Sequence, residues 1–385
     1  MGIKGVIRTA QSGAPDARQA VREFHAGVQQ PDMASVIFFC SSQYDLDALA
    51  DEMNRLFPGV EVLGCTTAGE IGPAGYRDFS LSGASFPAGS FTAVAGLFEH
   101  LQQFDIARGQ AFTNTLLQQL EANAPDSCAK DSFAFLLIDG LSVREEPVVR
   151  TFQNVLGRIP LVGGSAGDDL KFVRTWVFHK GAFHTDSAVL ILLTTPLPFK
   201  IFKTQHFVSN TERLVVTEAD PALRVVKEIN GLPAAEEYAR VIGAHVDDLG
   251  SLRFATSPVV VVIDGTDYVR AIQKANADGS LTFFCAIEEG LVLRVAHGND
   301  LIENLKQTFE TLRTEIGAPQ AVLACDCILR NLEITHDQQK EMVGEIFRRN
   351  NTVGFSTYGE QYGGVHVNQT LTGIAFGAQP KESDA

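Results

Sequence analysis

Three glycine-rich turns carry many of the side chains in this sequence that are equipped for chemistry: Gly64-Cys65-Thr66-Thr67-Ala68-Gly69-Glu70, Gly163-Gly164-Ser165-Ala166-Gly167-Asp168 and Gly354-Phe355-Ser356-Thr357-Tyr358-Gly359-Glu360. Backbone N–H groups beside Thr66, Thr67, Gly164, Ser165, Thr357 and Tyr358 would hold the carboxylate or phosphate of a small ligand, as loops at strand ends often do. The alternative is that the glycines only permit tight turns with positive φ. The spacing at 163–167 is neither a dinucleotide fingerprint nor a P-loop, and no lysine follows it. Asp168-Asp169 and Glu70 offer carboxylates for acid–base work but stand beside different turns without a recognisable nucleophile partner. A hydrolase would use Cys65 or Ser165 at such a strand-end turn. The reading preferred on these residues is a protein that is not an enzyme.

Among the six cysteines, Cys325-Asp326-Cys327 is the close pair. One intervening residue in a strand puts both thiols on one side, which suits metal or redox chemistry or simply two packed thiols. Nine histidines are present. His25, His100 and His336 sit on polar stretches, His179 and His184 flank the Lys180-Gly181 turn, and His245 precedes Asp247-Asp248, so all six read as exposed. Three stand apart. His206 lies between Phe202 and Phe207 near a domain junction, His297 ends a strand before Gly298-Asn299-Asp300, and His366 follows Gly363-Gly364-Val365 beside the third turn. For each of these a hydrogen-bonded structural histidine is the alternative to a ligating one.

The elements that must position these groups repeat along the chain. Phe135 to Ile138 reads as a strand, 139–142 as a turn, Glu145 to Leu156 as a helix, and the following apolar segment ends at Gly163-Gly164-Ser165. The same order runs from Val36 to Cys40, through a helix over Leu46 to Phe57 capped by Asp45 and stopped by Pro58-Gly59, to a strand over Val60 to Leu63. A third copy has a strand over Ala321 to Cys325, a helix over Gln338 to Arg348 and a strand over Thr370 to Phe376. In each copy roughly 25 to 30 residues separate the end of the first strand from the glycine turn, the span of one strand-helix-strand crossover. Phe79 to Phe86 with Phe91 to Phe98, and Trp176 to Phe178 with Ala188 to Leu193 across Lys180-Gly181, are expected to form hairpins. Leu101 to Leu120 reads as a connecting helix.

Between copies two and three the pattern changes. Leu214 to Val216, Arg224 to Ile229, Val259 to Ile263, Val269 to Ile272, Leu281 to Ala286 and Leu291 to Val295 read as strands, with helices over Ala234 to Ile242 and Leu301 to Ile316. The expectation is an α/β fold with mixed sheets in two domains built from repeated strand-helix-strand-hairpin units. The first spans 1–199, with units at about 34–98 and 133–193; the second spans 200–385, with a β-rich region over about 200–316 and a third unit over about 320–377.

At 385 residues, 45% hydrophobic and 20% charged, the chain has the composition of a globular protein. A formal charge of -15 and the lack of a Lys/Arg run argue against a surface built to hold phosphate backbones, so no nucleic-acid partner is expected. The N-terminus lacks a signal-peptide core, and no window reaches the roughly 18 apolar residues of a membrane helix. A cytoplasmic location and no membrane partner are the default expectations.

The three turns together with Glu228-Ile229-Asn230-Gly231-Leu232-Pro233-Ala234 resemble the FIST family, in the family's order and over nearly the whole chain. That resemblance implies a bacterial sensory module of FIST N and FIST C domains that binds a small ligand and reports to a signalling partner. Gln205-His206-Phe207, Phe284-Cys285-Ala286-Ile287 and Asn368-Gln369-Thr370 are similar to a narrower branch, stand-alone proteins that bind haem b, sense nitric oxide and act on a histidine kinase. What this branch implies is haem iron held by a histidine in an apolar pocket. His206, walled by Phe202 and Phe207, is the first candidate, with His297 and His366 behind it. Without haem, the family resemblance implies a sensor of an amino acid or other small metabolite at the glycine turns. A homo-oligomer is left open.

Overall fold

One strand order, used three times, organises the molecule. The computed structural model describes residues 5–263 and 265–378. The first unit consists of β1 (Arg8–Ser12), α1 (Ala17–Val28), β2 (Met33–Ser41), α2 (Leu46–Leu56), β3 (Glu61–Thr67), the short pair β4 (Glu70–Gly72) and β5 (Gly75–Arg77), and β6 (Leu81–Pro87). The second repeats it as β7 (Thr92–Glu99), α3 (Ile106–Asn123), β8 (Ser132–Ile138), α4 (Glu145–Leu156), β9 (Leu161–Ser165), β10 (Val177–His179), β11 (Ala182–His184) and β12 (Ser187–Thr194).

The third unit opens with β13 (Phe199–Thr204) and is then interrupted. The interruption comprises β14 (Phe207–Ser209), β15 (Leu214–Asp220), β16 (Val225–Ile229), β17 (Leu232–Pro233), α5 (Ala234–Ile242), α6 (Ser251–Thr256), β18 (Val259–Ile263), β19 (Thr266–Arg270), β20 (Ile272–Ala275), β21 (Leu281–Phe283) and β22 (Val292–Gly298). The unit resumes with α7 (Leu301–Ile316), β23 (Pro319–Cys327), α8 (Ile328–His336), α9 (Lys340–Arg349), β24 (Thr352–Thr357), β25 (Glu360–Tyr362), β26 (Val365–Val367) and β27 (Leu371–Gly377).

The units interlock. The three six-stranded sheets run β1-β6-β2-β3-β10-β11, β7-β12-β8-β9-β25-β26 and β13-β27-β23-β24-β4-β5. In each, the crossover pair (β2 and β3, β8 and β9, β23 and β24) is parallel, and the last two strands are a hairpin supplied by a different unit. The central strands carry runs such as Val36-Ile37-Phe38-Phe39-Cys40 and Phe133 to Ile138 because both their faces are covered. Inner faces of all three sheets meet in one core, where Phe39 stacks on Phe355 at 4.6 Å and Phe376 packs against Phe86 and Phe133. Each such ring contributes about 1.5–3 kcal/mol on burial. Helices cover the outer faces, and the interruption folds around its own nine-stranded sheet and core.

The α/β class, the mixed sheets and the repeated unit are as expected from sequence. The expected hairpins are not. β6 lies between β1 and β2, with both edges occupied, while β7 pairs with β12 in the next sheet. The Lys180-Gly181 turn exists, with both residues at positive φ, but it closes β10 onto β11, and β12 runs between β7 and β8. Period and turn chemistry report local conformation; which sheet a strand joins is set by contacts far along the chain. Strand β1 and helices α1 and α8 had no expectation, although Asp16 caps α1 by accepting from the Gln19 amide at 2.8 Å.

Candidate functional site

The three glycine turns meet one another. Gly167 N–H donates to Thr66 O at 2.9 Å, Ala68 N–H to Ser356 O at 3.0 Å, Ser356 N–H to Gly69 O at 2.7 Å, Ser165 N–H to Gly359 O at 2.8 Å and Tyr358 N–H to Ser165 O at 3.2 Å. Side chains follow suit. The Thr357 hydroxyl donates to Ser165 O at 2.7 Å, the Tyr358 hydroxyl to Asp168, and the Thr67 hydroxyl to Glu70. A Cβ on Gly164 would sit 2.6 Å from the Phe355 ring. Thr66, Thr67, Gly164, Ser165, Thr357 and Tyr358 are therefore buried in the seam of the fold, where the Ser165 and Tyr358 amides and the Thr357 hydroxyl donate to neighbouring turns and the Thr66 amide to Trp176 O. Cys65 is fully buried in the central core, which pushes its thiol well up, and Ser165 is 1% exposed, its Oγ accepting from Gln361, so neither is placed to attack a substrate.

The third turn differs from the others in what it leaves unpaired. Glu70 has both oxygens engaged, one by the Thr67 hydroxyl and the other by the Ser80 amide and hydroxyl at 2.8 and 2.7 Å. Its counterpart Glu360 uses Oε2 in the same way, on the Thr370 amide and hydroxyl, but Oε1 meets no protein donor. Gln361 Oε1, His366 Nε2, both amide atoms of Asn368 and Gln369 Oε1 likewise have no protein partner among the described residues, all in buried side chains. Such groups cost free energy unless something polar meets them. Gly359 has to be glycine because its Cβ would lie 2.2 Å from His366 Cε1.

A cavity of ≈ 310 Å³ opens beside this cluster, lined by Glu146, Arg150, Arg270, Ala286, Gly364, Val365 and His366. Three parts of the chain build it: the N-terminus of α4, the β25–β26 hairpin, and β19 with the segment after β21. Arg224, 5% exposed, ties the interruption to α4: one guanidinium nitrogen donates to Glu145 at 2.6 Å and to Glu146, and the other to Phe284 O at 2.6 Å. Ala286 N–H donates to Glu146 Oε1 at 2.6 Å. Burial raises the Glu145 carboxyl against the pull of Arg224. For Glu146 burial is outweighed by His366, Arg224 and the Ala286 amide, and the carboxyl is held low. Burial pushes His366 down to about 4, with Glu146 opposing, so the ring is neutral at pH 7.

The other expected residues are elsewhere. His206 is buried with both ring nitrogens engaged: Nδ1 faces Arg330 at 3.1 Å and Nε2 faces Glu333 at 2.9 Å, while Arg330 pairs with Asp326 at 2.7 Å. Phe207 packs on His206 at 4.1 Å, but Phe202 belongs to a different cluster, against Phe309 of α7. His297 is exposed on β22 opposite Val208. His179, expected at the surface, is fully buried, with Nε2 2.9 Å from Glu61.

Haem needs a histidine with a free ring nitrogen facing an apolar wall. His206 and His297 do not fit that requirement, and His366 has the free nitrogen but a charged surround. Cys325 and Cys327 are free buried thiols, and among the described residues no group of three or more His, Cys, Asp or Glu side chains is arranged to hold a metal ion. Arg330, like Arg150, Arg224 and Arg270, has no place among the site residues read from the sequence. An arginine inside the apolar run Ile328-Leu329-x-x-Leu332, four residues after Asp326, was the available signal.

Comparison with known proteins gives matches over most of the chain. Residues 34–232 match the FIST N domain family and 234–363 the FIST C domain family. An uncharacterized protein of Methanocaldococcus jannaschii is 23% identical, covering 89% of this chain and 73% of that protein. Among solved structures, one described as cyanuric acid hydrolase, with evolutionary innovation by structural concatenation, covers 96% of this chain and 99% of its own at TM-score 0.37 and 9% identity. A chorismatase covers 96% and 97% at TM-score 0.34 and 9% identity. No helix among the described residues is long and apolar enough to cross a membrane.

Proposed function

Because the chain belongs to the FIST family and FIST domains are signalling sensor modules, we propose that it senses a small polar ligand held beside the third glycine turn and relays its presence to a partner signalling protein such as a histidine kinase. The observation that carries this reading is the concentration of unpartnered buried polar atoms on Glu360, Gln361, His366, Asn368 and Gln369, next to a cavity that His366 also lines. A ligand there touches the hairpin of the third unit, α4 of the second and the interruption at once. Arg224 latches the interruption to α4 through Glu145 and Glu146, and Glu146 is also a wall of the cavity. A ligand that interacts differently with the latched and unlatched states supplies the free-energy difference a switch requires.

The test is thermal stability with a panel of small metabolites. A ligand at 100 times its Kd stabilises the native state by about 2.7 kcal/mol. His366→Leu and Asn368→Leu should each remove the ligand-induced shift, and a shift that survives both contradicts the site. A second reading, nitric oxide sensing through haem b, has the free Nε2 of His366 in its favour. A Soret band on adding haem that His366→Ala abolishes would carry that reading over the first.

A further inference from the structure

We infer that the cavity beside His366 takes a compact oxyanion, a carboxylate or a phosphate, that carries no ammonium group. This rests on the third turn being the ligand site. Arg150 from α4 and Arg270 from β19 bring two guanidinium groups to one space from different elements. Neither makes an ion pair or a side-chain hydrogen bond among the described residues, and Arg270 Nε is buried without a partner. A guanidinium presents its donors in a fixed fork that matches the paired oxygens of a carboxylate or phosphate.

His366 is a further polar side chain in this lining. The Gln361 side-chain amide lies 3.4 Å from Nδ1, but its two protons go to Ser165 Oγ and Gly359 O at 3.0 and 3.3 Å, so Nε2, the ring atom without a protein partner, donates in one tautomer and accepts in the other. The one carboxylate in the lining is not open, since Glu146 Oε1 takes the Ala286 amide and Oε2 takes Arg224. An ammonium entering here would meet two guanidinium cations, and the unpartnered acceptors of Glu360, Gln361, Asn368 and Gln369 belong to side chains outside the lining. In a chain of formal charge -15, two unpaired arginines at a concave spot draw anions from solution.

Calorimetric titration and thermal shift of the full chain with succinate, aspartate, inorganic phosphate and putrescine test this. Succinate or phosphate should bind, succinate about tenfold or more tighter than aspartate, which differs from it by one ammonium. Arg150→Ala, at an exposed helix position, should weaken that binding about tenfold, and Arg270→Gln more. Aspartate binding as tightly as succinate, or putrescine binding that His366→Leu removes and Arg150→Ala does not, overturns the anion assignment and leaves the sensor site standing. Silence from succinate and phosphate at millimolar concentration also overturns it. The sensor reading falls separately, if no metabolite of any charge gives a shift that His366→Leu removes.

Discussion

The first and third glycine turns share a backbone and differ in what they leave unsatisfied. Glu70 and Glu360 each follow a glycine and each use one oxygen on the amide and hydroxyl of a residue ten positions on. At the first turn Thr67 completes the set. At the third, Glu360 Oε1 and atoms of Gln361, His366, Asn368 and Gln369 have no protein partner, and this is the turn beside which the interruption of the third unit packs. The first turn closes on itself, whereas the third keeps unpartnered atoms where the interruption packs against it.

The largest effect expected is at the latch, which the first turn lacks. Arg224→Ala leaves Glu145 and Glu146 without their cation and should cost about 3–5 kcal/mol in denaturant unfolding. A loss under about 1 kcal/mol would mean the interruption is not held there.

The two turns should also answer pH with opposite signs. His366 is pushed down to about 4 from 6.5, so between those values the unfolded chain binds a proton that the buried ring refuses. Its contribution to stability is full above about 6.5 and is lost as pH falls, at about 1.4 kcal/mol per unit, roughly 3 kcal/mol in all. Glu70 is raised by burial from 4.5 to about 8, so its contribution is full below 4.5 and is lost as pH rises through 8. Glu360 is raised as well, so each variant is compared with the parent. His366→Gln should flatten the acid limb and Glu70→Gln the alkaline limb of stability against pH; the reverse assignment contradicts the burial of these groups.

Legibility in the sequence followed locality. The crossover units, helices α4, α5 and α7 and the three turns were readable because apolar period and turn residues are short-range signals. The exchange of hairpins between sheets was not, since β10 joins β3 and β25 joins β9 through pairings more than a hundred residues apart. Function showed the same split. His366 stands beside a turn that the sequence marks, whereas Arg150 on α4, Arg270 on β19 and Arg224 in the turn between β15 and β16 are brought together only by the fold. His206 drew attention for its aromatic neighbours, but its partners Arg330 and Glu333 lie on α8, which had not been expected.

A smaller effect separates the turns most cleanly. Glu70→Leu strands the buried Ser80 amide and hydroxyl and should cost about 1–3 kcal/mol. Asn368→Leu replaces a buried amide that has no partner with an apolar group of similar size, so without ligand it should be neutral or stabilising. The most direct measurement is therefore Asn368→Leu followed in two ways, by denaturant unfolding without ligand and by thermal shift with a ligand that stabilises the parent. The expected result is stability equal to or above that of the parent, together with loss of the ligand shift. A variant that is destabilised by about 2 kcal/mol or more and still responds to the ligand would mean that Asn368 belongs to the architecture and that the third turn is no more a binding site than the first.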